Sequence, residues 1–379
     1  MSEKDIVPYR PGLEGVTAGI SKISDIIAEQ NRLIYRGYDI RDLATHCQFE
    51  EVAYLILLGK LPNRQELEQF KAQLEPYREL PSEVYRVLHA LPAGANLMAA
   101  LQVGVATLGM LDPQADVNTH EANLQKAIRL TASLPTLVAN GYRILQGQEP
   151  VPPRADLPHA SNFLYMLFGR EPDPLHAQVM NLTFILYAEH GYNASTFTAH
   201  VIASTLADMY SAVVGAIGAL RGALHGGANE AAMESILEIG SPDRAEAWVM
   251  EKLAKKERIM GFGHREYKTG DIRATILKAY VRQLAEQANR MDLYQIQETM
   301  ERVMLREKNL HPNVDFPAAV VYYLMGIPIP LYTPIFAAAR IVGWAAHVIE
   351  QHDDNRLIRP RSDYIGPRDL PFVPLDQRT

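Results

Sequence analysis

Between Asp315 and Arg340 the chain runs through 24 residues, 316–339, without a single charge. A run that long belongs either in a membrane or in the interior of a large protein, because about 20 apolar residues let a helix cross a bilayer. Pro317, Pro328, Pro330 and Pro334 decide between the two. Each removes a backbone donor and resists continuation of a helix, so the run reads as buried core helices joined by a kinked connection. Helices buried to that degree need a large protein around them. At 379 residues the chain exceeds the size at which single cores stop growing, which predicts two domains or one large domain carrying a smaller one.

The remaining pattern is helical. Between Val7 and Ile40, glycines at 12, 15, 19 and 37 interrupt runs such as Leu33-Ile34-Tyr35, which suits one or two short strands or turns. Residues 50–59 then read as a strongly apolar helix stopped by Gly59 and Pro62, and Asn63 with Glu66 three residues on resembles a capping box. Val84, Val87, Leu88 and Leu91 recur at helical spacing. Further helices are expected over 95–111, 121–145, 161–168 and 175–189, and the segment 199–224 carries Gly215, Gly218 and Gly222, which allow another helix to approach closely. Alternating β-branched runs are nearly absent. The fold class is all-α, with Pro- and Gly-rich connections.

Charge and cysteine usage narrow the function classes. Cys47 stands alone, which excludes an intramolecular disulfide and a thiolate-clustered metal and fits a reducing compartment. Met1-Ser2-Glu3-Lys4-Asp5 carries acids and no apolar stretch, so a cytoplasmic protein is expected. The net charge is −7, yet 251–273 holds Lys252, Lys255, Lys256, Arg258, Arg265, Lys268 and Arg273 against Glu251, Glu257, Glu266 and Asp271, a local surplus of three. A positive island on an acidic chain points to a small anionic ligand in one cleft, since a nucleic-acid binder spreads its basic surface more widely. No P-loop is present, and Gly261-Phe262-Gly263 lacks the third glycine of a dinucleotide fingerprint.

Among twelve histidines most have bland contexts. His46, His89, His120, His159 and His176 lie near helix ends or in polar loops, where solvated or capping roles are expected. His347, Glu350 and His352 match no familiar metal spacing, so no metal is expected. Four positions carry stronger constraints. His190 ends an apolar helix at Gly191; His225 precedes a double glycine and a helix start, a place that disfavours an added positive charge. His264 follows Gly261-Phe262-Gly263, and Asp315 sits between a Pro/Asn turn and an apolar wall that should raise its basicity.

Taken in order, these segments resemble the citrate synthase family across nearly the whole chain. The matching stretches are Tyr35-Arg36-Gly37-Tyr38-Asp39-Ile40, residues 190–193, 224–229, 261–273, 312–315 and 340–347, and Arg359-Pro360-Arg361. The resemblance implies an aldol-type condensation of acetyl-CoA with oxaloacetate, followed by thioester hydrolysis to citrate and CoA. It makes Asp315 the base, His225 the donor to the enolate oxygen and His264 the group that polarises the ketone. Removing a proton from a thioester methyl needs just such a carboxylate and such a donor. By the same resemblance His190, Asn193, His264, Arg273, Arg340 and Arg359 bind oxaloacetate, whose two carboxylates suit planar guanidinium groups. Arg258, Met260, Gly261, Phe262, Gly263, Lys268 and Lys308 fall to CoA, which is a substrate, so no cofactor is implied.

The family's last arginine reaches into a neighbouring subunit, so Arg359 implies a homodimer. The expected fold is citrate synthase-like, with a large helical domain (1–224 and 326–379), a smaller one (225–325) and the active site in the cleft, which oxaloacetate would close. One departure is Ile272, where the family commonly has proline, which would leave Arg273 less rigidly held. The chain also has no room for the extra N-terminal domain that senses NADH in longer relatives, so no such inhibition is expected. Two other readings remain open: a 2-methylcitrate synthase using propionyl-CoA, and a helical CoA- or dicarboxylate-binding protein without turnover.

Overall fold

Residues 9–267 and 269–378 are described by the computed structural model, and within them sixteen α-helices surround one small sheet. The sheet is an antiparallel meander of β1 (Ser24–Ile27), β2 (Arg32–Tyr35) and β3 (Tyr38–Asp39), one strand more than the glycine-broken run implied. Its β2–β3 turn consists of Arg36 and Gly37, both at positive φ (49° and 92°), the backbone that a two-residue hairpin requires. Asp39 then caps α1 (Ile40–His46) by accepting from the Arg41 N–H at 2.9 Å.

The first half continues with α2 (Phe49–Leu58), α3 (Arg64–Leu74), α4 (Ser82–His89), α5 (Leu97–Met110), α6 (His120–Leu145), α7 (His159–Phe168) and α8 (Pro174–Tyr187). The expected capping box forms, with Asn63 and Glu66 exchanging two hydrogen bonds of 2.9 Å. The segment 199–224 is split between α9 (Ala194–Ala203) and α10 (Met209–Leu220). Leu206 at φ 67° breaks the chain there, and Asp208 restarts it by accepting from the Ser211 N–H. The glycines do admit neighbours: a Cβ on Gly215 would collide with Ile202, and one on Gly218 would lie 2.9 Å from Gln102 of α5.

After these come α11 (Ala228–Ile239), α12 (Pro242–Ala254), α13 (Ile272–Gln287), α14 (Met291–Lys308) and α15 (Asp315–Leu324), which pack largely on one another. The last helix, α16 (Tyr332–Asp353), packs chiefly against α6, α8, α9 and α10. The uncharged run thus becomes α15, a turn at Gly326, a short 3-10 turn (Ile329–Leu331) and the first half of α16. Pro317 and Pro334 each fall in the first turn of a helix, where the missing N–H has no intrahelical acceptor to lose. Every side chain from 332 to 349 is buried. With its leading turn this helix is long and apolar enough to cross a membrane, but 89% of its apolar window is covered by the rest of the molecule, the position of a core helix. One histidine departs from expectation: His159 is packed between Phe49 and Phe184, and burial pushes its pKa down to about 3, so it serves as a neutral core aromatic.

Small residues let α16 meet its neighbours closely, and Gly343 does so at the tightest place. A Cβ there would strike the Glu189 carboxylate and the Ala188 carbonyl just beyond α8. Backbone cannot swing aside as a side chain can. Gly343→Ala is therefore expected to lower unfolding free energy by about 1–3 kcal/mol. A urea midpoint equal to wild type at unchanged m-value would remove this packing argument.

Candidate active site

Two loops distant in sequence are zipped together and carry the candidate residues with them. Gly263 N–H donates to the His311 carbonyl at 2.8 Å, Asn313 N–H to the Gly261 carbonyl at 2.9 Å, and Asn313 Nδ2 to the Gly263 carbonyl at 3.0 Å. Gly261 and Gly263 both need positive φ (87° and 79°), and a Cβ on Gly261 would lie 2.8 Å from Phe316. His264 leaves one side of this pairing and Asp315 the other. Asp271 adds a second tie: it accepts from the Val314 N–H at 3.1 Å and grips Arg273 through Nε (3.0 Å) and Nη2 (2.8 Å). Ile272 is the first residue of α13, a position that favours proline. Asp271 supplies the constraint instead, by capping the helix and fixing the guanidinium, while Ile272 is buried.

The opposite wall comes from the end of α8 and from α16. Gly191 at φ 58° turns the chain after His190, which is 6% exposed and stands edge-on to His264 with ring centres 5.1 Å apart. Tyr267 joins both histidines, its hydroxyl 3.4 Å from His190 Nε2. Arg340, 1% exposed, donates through Nε to the Tyr187 carbonyl at 2.6 Å and lies over Phe336. Its Nη2 finds no acceptor among the described residues. Burial lowers its pKa to about 10, which leaves a cation at neutral pH with one buried donor uncommitted.

Hydrogen bonding fixes the proton on two imidazoles. Ser195 N–H donates to His225 Nε2 at 3.3 Å, the contact that favours a neutral ring with its proton on Nδ1. Glu266 N–H and Tyr267 N–H donate to His264 Nδ1 at 3.1 and 3.3 Å, which places that ring's proton on Nε2. Burial, then Arg340, pushes the His225 pKa down to about 4. His225 lies just ahead of α11, the helix start expected to disfavour an added positive charge. Burial and then Arg273, His264, Arg340 and His225 hold His190 well below the usual range. Asp315 moves the other way: burial raises it to about 6 against the pull of Arg273, and the Tyr187 hydroxyl donates to its Oδ1 at 3.0 Å.

The remaining candidates divide. Asn193 is the cap of α9, its Oδ1 committed to Thr196 N–H and Ser195 Oγ and its Nδ2 to Thr196 Oγ1, so it holds the loop that carries His190. Arg359 lies exposed on the extended tail and makes no hydrogen bond or ion pair with the described residues. Arg258 and Lys308 are exposed, Met260, Phe262 and Gly263 are partly exposed beside His264, and Gly261 is buried. Lys268 lies outside the described residues. Sequence reasoning missed Tyr187, Glu189, Ser195, Tyr267 and His347. His347 pairs with Glu189 at 2.9 Å, both fully buried, and no local spacing could signal partners 158 positions apart.

Neutral His190 and His225, a carboxylate of raised basicity and two buried guanidinium groups thus come together in one cluster within a helical fold, a constellation suited to a small anionic ligand. The comparisons agree with that class. The family model described as "Citrate synthase, C-terminal domain" matches residues 12–361, and the chain belongs to this family. Citrate synthase 2 of Bacillus subtilis (strain 168) is 48% identical over 97% of this chain and 98% of its own length. Citrate/2-methylcitrate synthase of the same organism is 44% identical over 95% of this chain and 97% of its own. The citrate synthase of Thermoplasma acidophilum, solved as a ternary complex with carboxymethyl coenzyme A and oxaloacetate, superposes with a TM-score of 0.93 at 34% identity, covering 97% of this chain and 99% of that one.

The raised carboxylate has a consequence for stability. Its folded value of about 6 lies above the ordinary 3.8, so protonation favours the folded state and the ionised form at neutral pH opposes it. Asp315→Asn is therefore expected to unfold at higher urea concentration than wild type at pH 7 to 8. The gain should shrink as pH falls from about 6 toward 3.8. A pH-independent difference would contradict the assigned shift.

Proposed function

We propose that this protein condenses acetyl-CoA with oxaloacetate and hydrolyses the resulting citryl thioester to citrate and CoA. The observation that carries the reading is a carboxylate raised to about 6, Asp315, in one cluster with His225 held neutral and its proton on Nδ1. A base near neutrality removes a proton from the thioester methyl, and an imidazole N–H stabilises the enolate oxygen without adding charge. His264 presents Nε2–H to the ketone oxygen as the enolate carbon attacks the ketone carbon. His190, Arg273 and Arg340 hold oxaloacetate, and the unpartnered Arg340 Nη2 supports that role. Water then cleaves the carbon–sulfur bond and CoA leaves as the thiol.

The exposed segment around 258–263, with Lys308, takes the CoA moiety in this reading. The helices α11–α15 form the mobile smaller unit, residues 225–325, and the rest of the chain, 1–224 and 326–379, forms the larger one. Oxaloacetate closes one on the other, excluding water and completing the CoA site. The exposed tail supports a homodimer in which Arg359 serves the neighbouring site. Propionyl-CoA is the second acyl donor to consider, because one relative at 44% identity is named for both products and one methylene is discriminated only weakly by pocket shape.

Thiol release with oxaloacetate and either acyl-CoA tests the reading, and the ratio of kcat/KM values assigns the donor. No CoA from either, at high enzyme concentration, rejects it. Asp315→Ala is expected to bind oxaloacetate but lose turnover by at least about 10²-fold, whereas Arg340→Ala should lose oxaloacetate affinity first. Small-angle scattering that is unchanged at saturating oxaloacetate would count against closure.

A further inference from the structure

Among the phenols of the cluster that none of these roles employs, one contacts the Asp315 carboxylate. Tyr187 is the last residue of α8, fully buried, and its two ends serve different functional groups. Its hydroxyl donates to Asp315 Oδ1 at 3.0 Å, and its carbonyl accepts from Arg340 Nε at 2.6 Å. Between them its ring packs on Phe336 with centroids 4.3 Å apart, and Phe336 in turn lies 4.7 Å from the Arg340 guanidinium and 6.3 Å from the His225 ring. The residue therefore touches, directly or across one ring, the carboxylate, the guanidinium whose Nη2 is uncommitted and the neutral imidazole.

The groups facing Asp315 are Tyr187 from α8, Arg273 and Asp271 at the start of α13, Arg340 from α16 and Tyr322 from its own helix. Among the described residues only Tyr187 hydrogen-bonds its carboxylate. We propose that Tyr187 is the positioning residue for the Asp315 carboxylate: its hydroxyl occupies Oδ1 and so selects Oδ2 as the proton-accepting oxygen, while its carbonyl fixes Arg340 at a set spacing from that oxygen. This rests on the reading of Asp315 as the base. Two consequences follow from the chemistry. A phenol that donates to a carboxylate favours the ionised form, so the hydroxyl keeps a buried base available at neutral pH. Because the Arg340 tie is a backbone carbonyl, the side chain can be altered without disturbing the anion-binding guanidinium.

Tyr187→Phe separates these functions, since it removes the hydroxyl and keeps both the ring and the carbonyl. Turnover is expected to fall by about 10- to 100-fold with KM for oxaloacetate changed less than about threefold. The acid limb of the kcat profile should move to higher pH by about one unit, because the ionised base has lost the hydroxyl that donates to it. A purely structural role would leave that limb in place. Oxaloacetate binding, followed by calorimetry, verifies that the variant is folded, and Tyr187→His offers a second ring that can donate and should recover part of the lost turnover. Asp315→Asn is assayed in parallel to keep the two ideas apart. If Asp315→Asn retains turnover, the base assignment fails. If it is inactive while Tyr187→Phe keeps either wild-type kcat or a wild-type acid limb, the positioning role is overturned and the base assignment stands.

Discussion

The carboxylate of Glu189 has no solvent exposure, and much of the site depends on what must surround it. An ion moved from water to a protein interior costs several kcal/mol even after relaxation, so it persists only where donors are fixed around it. Here Ser24 Oγ donates at 2.8 Å, His347 Nε2 stands at 2.9 Å, and the Gly191 N–H closes on the same oxygen. Burial opposes ionisation, and His347 together with Arg340 outweighs it, holding the group below the usual carboxylate range. Satisfying this one charge ties together β1, the end of α8 and the middle of α16. Tyr35 reinforces the junction by donating from its hydroxyl to the Glu189 carbonyl at 2.8 Å. The next residue is His190. Its place in the cluster follows from the anchorage of its neighbour.

Around that anchor the protein manages an excess of potential positive charge in three ways. Histidines 190 and 225 stay neutral because burial and the neighbouring arginines both penalise a further proton. Arg273 is neutralised bidentately by Asp271. Arg340 is left with one nitrogen uncommitted, and it is there that a bound carboxylate gains most, because the donor is already desolvated and held. The same environment acts on Asp315. Burial alone would raise it further, and Arg273, Tyr187 and Arg340 bring it back toward neutrality. A carboxylate of raised basicity that is still ionised at physiological pH emerges from that opposition.

The cations of the positive island at 251–273 do not all have the same use. Lys252 and Lys255 are spent on Glu257 and Glu251 within their own helix end. Arg340, whose Nη2 has no partner among the described residues, lies well outside the island, in a helix whose first half is otherwise uncharged. Sequence proximity of charges measures local pairing as readily as ligand attraction. Only the fold separates the two.

Local rules carried the prediction a long way. Helix class and most helix positions, the Asn63–Glu66 cap, the glycine turns at 191, 261 and 263, and the division of the uncharged run by its prolines all depend on φ, ψ and hydrogen bonds within a few residues, and they were legible as such. So were His190, His225, His264 and Asp315, whose neighbours in the chain dictate the turns that present them, whereas the arginines were named through the family resemblance. What the fold alone decided are the effects that act through space. The contact between Tyr187 and Asp315 spans 128 positions and that between Glu189 and His347 spans 158. The proton on His225 is placed by Ser195, and His159 is a core aromatic because two phenylalanines enclose it. Burial and Coulomb interactions depend on distance in space, which neighbouring residues do not encode, so the chain specified which groups are present and the packing specified their charge, tautomer and partners.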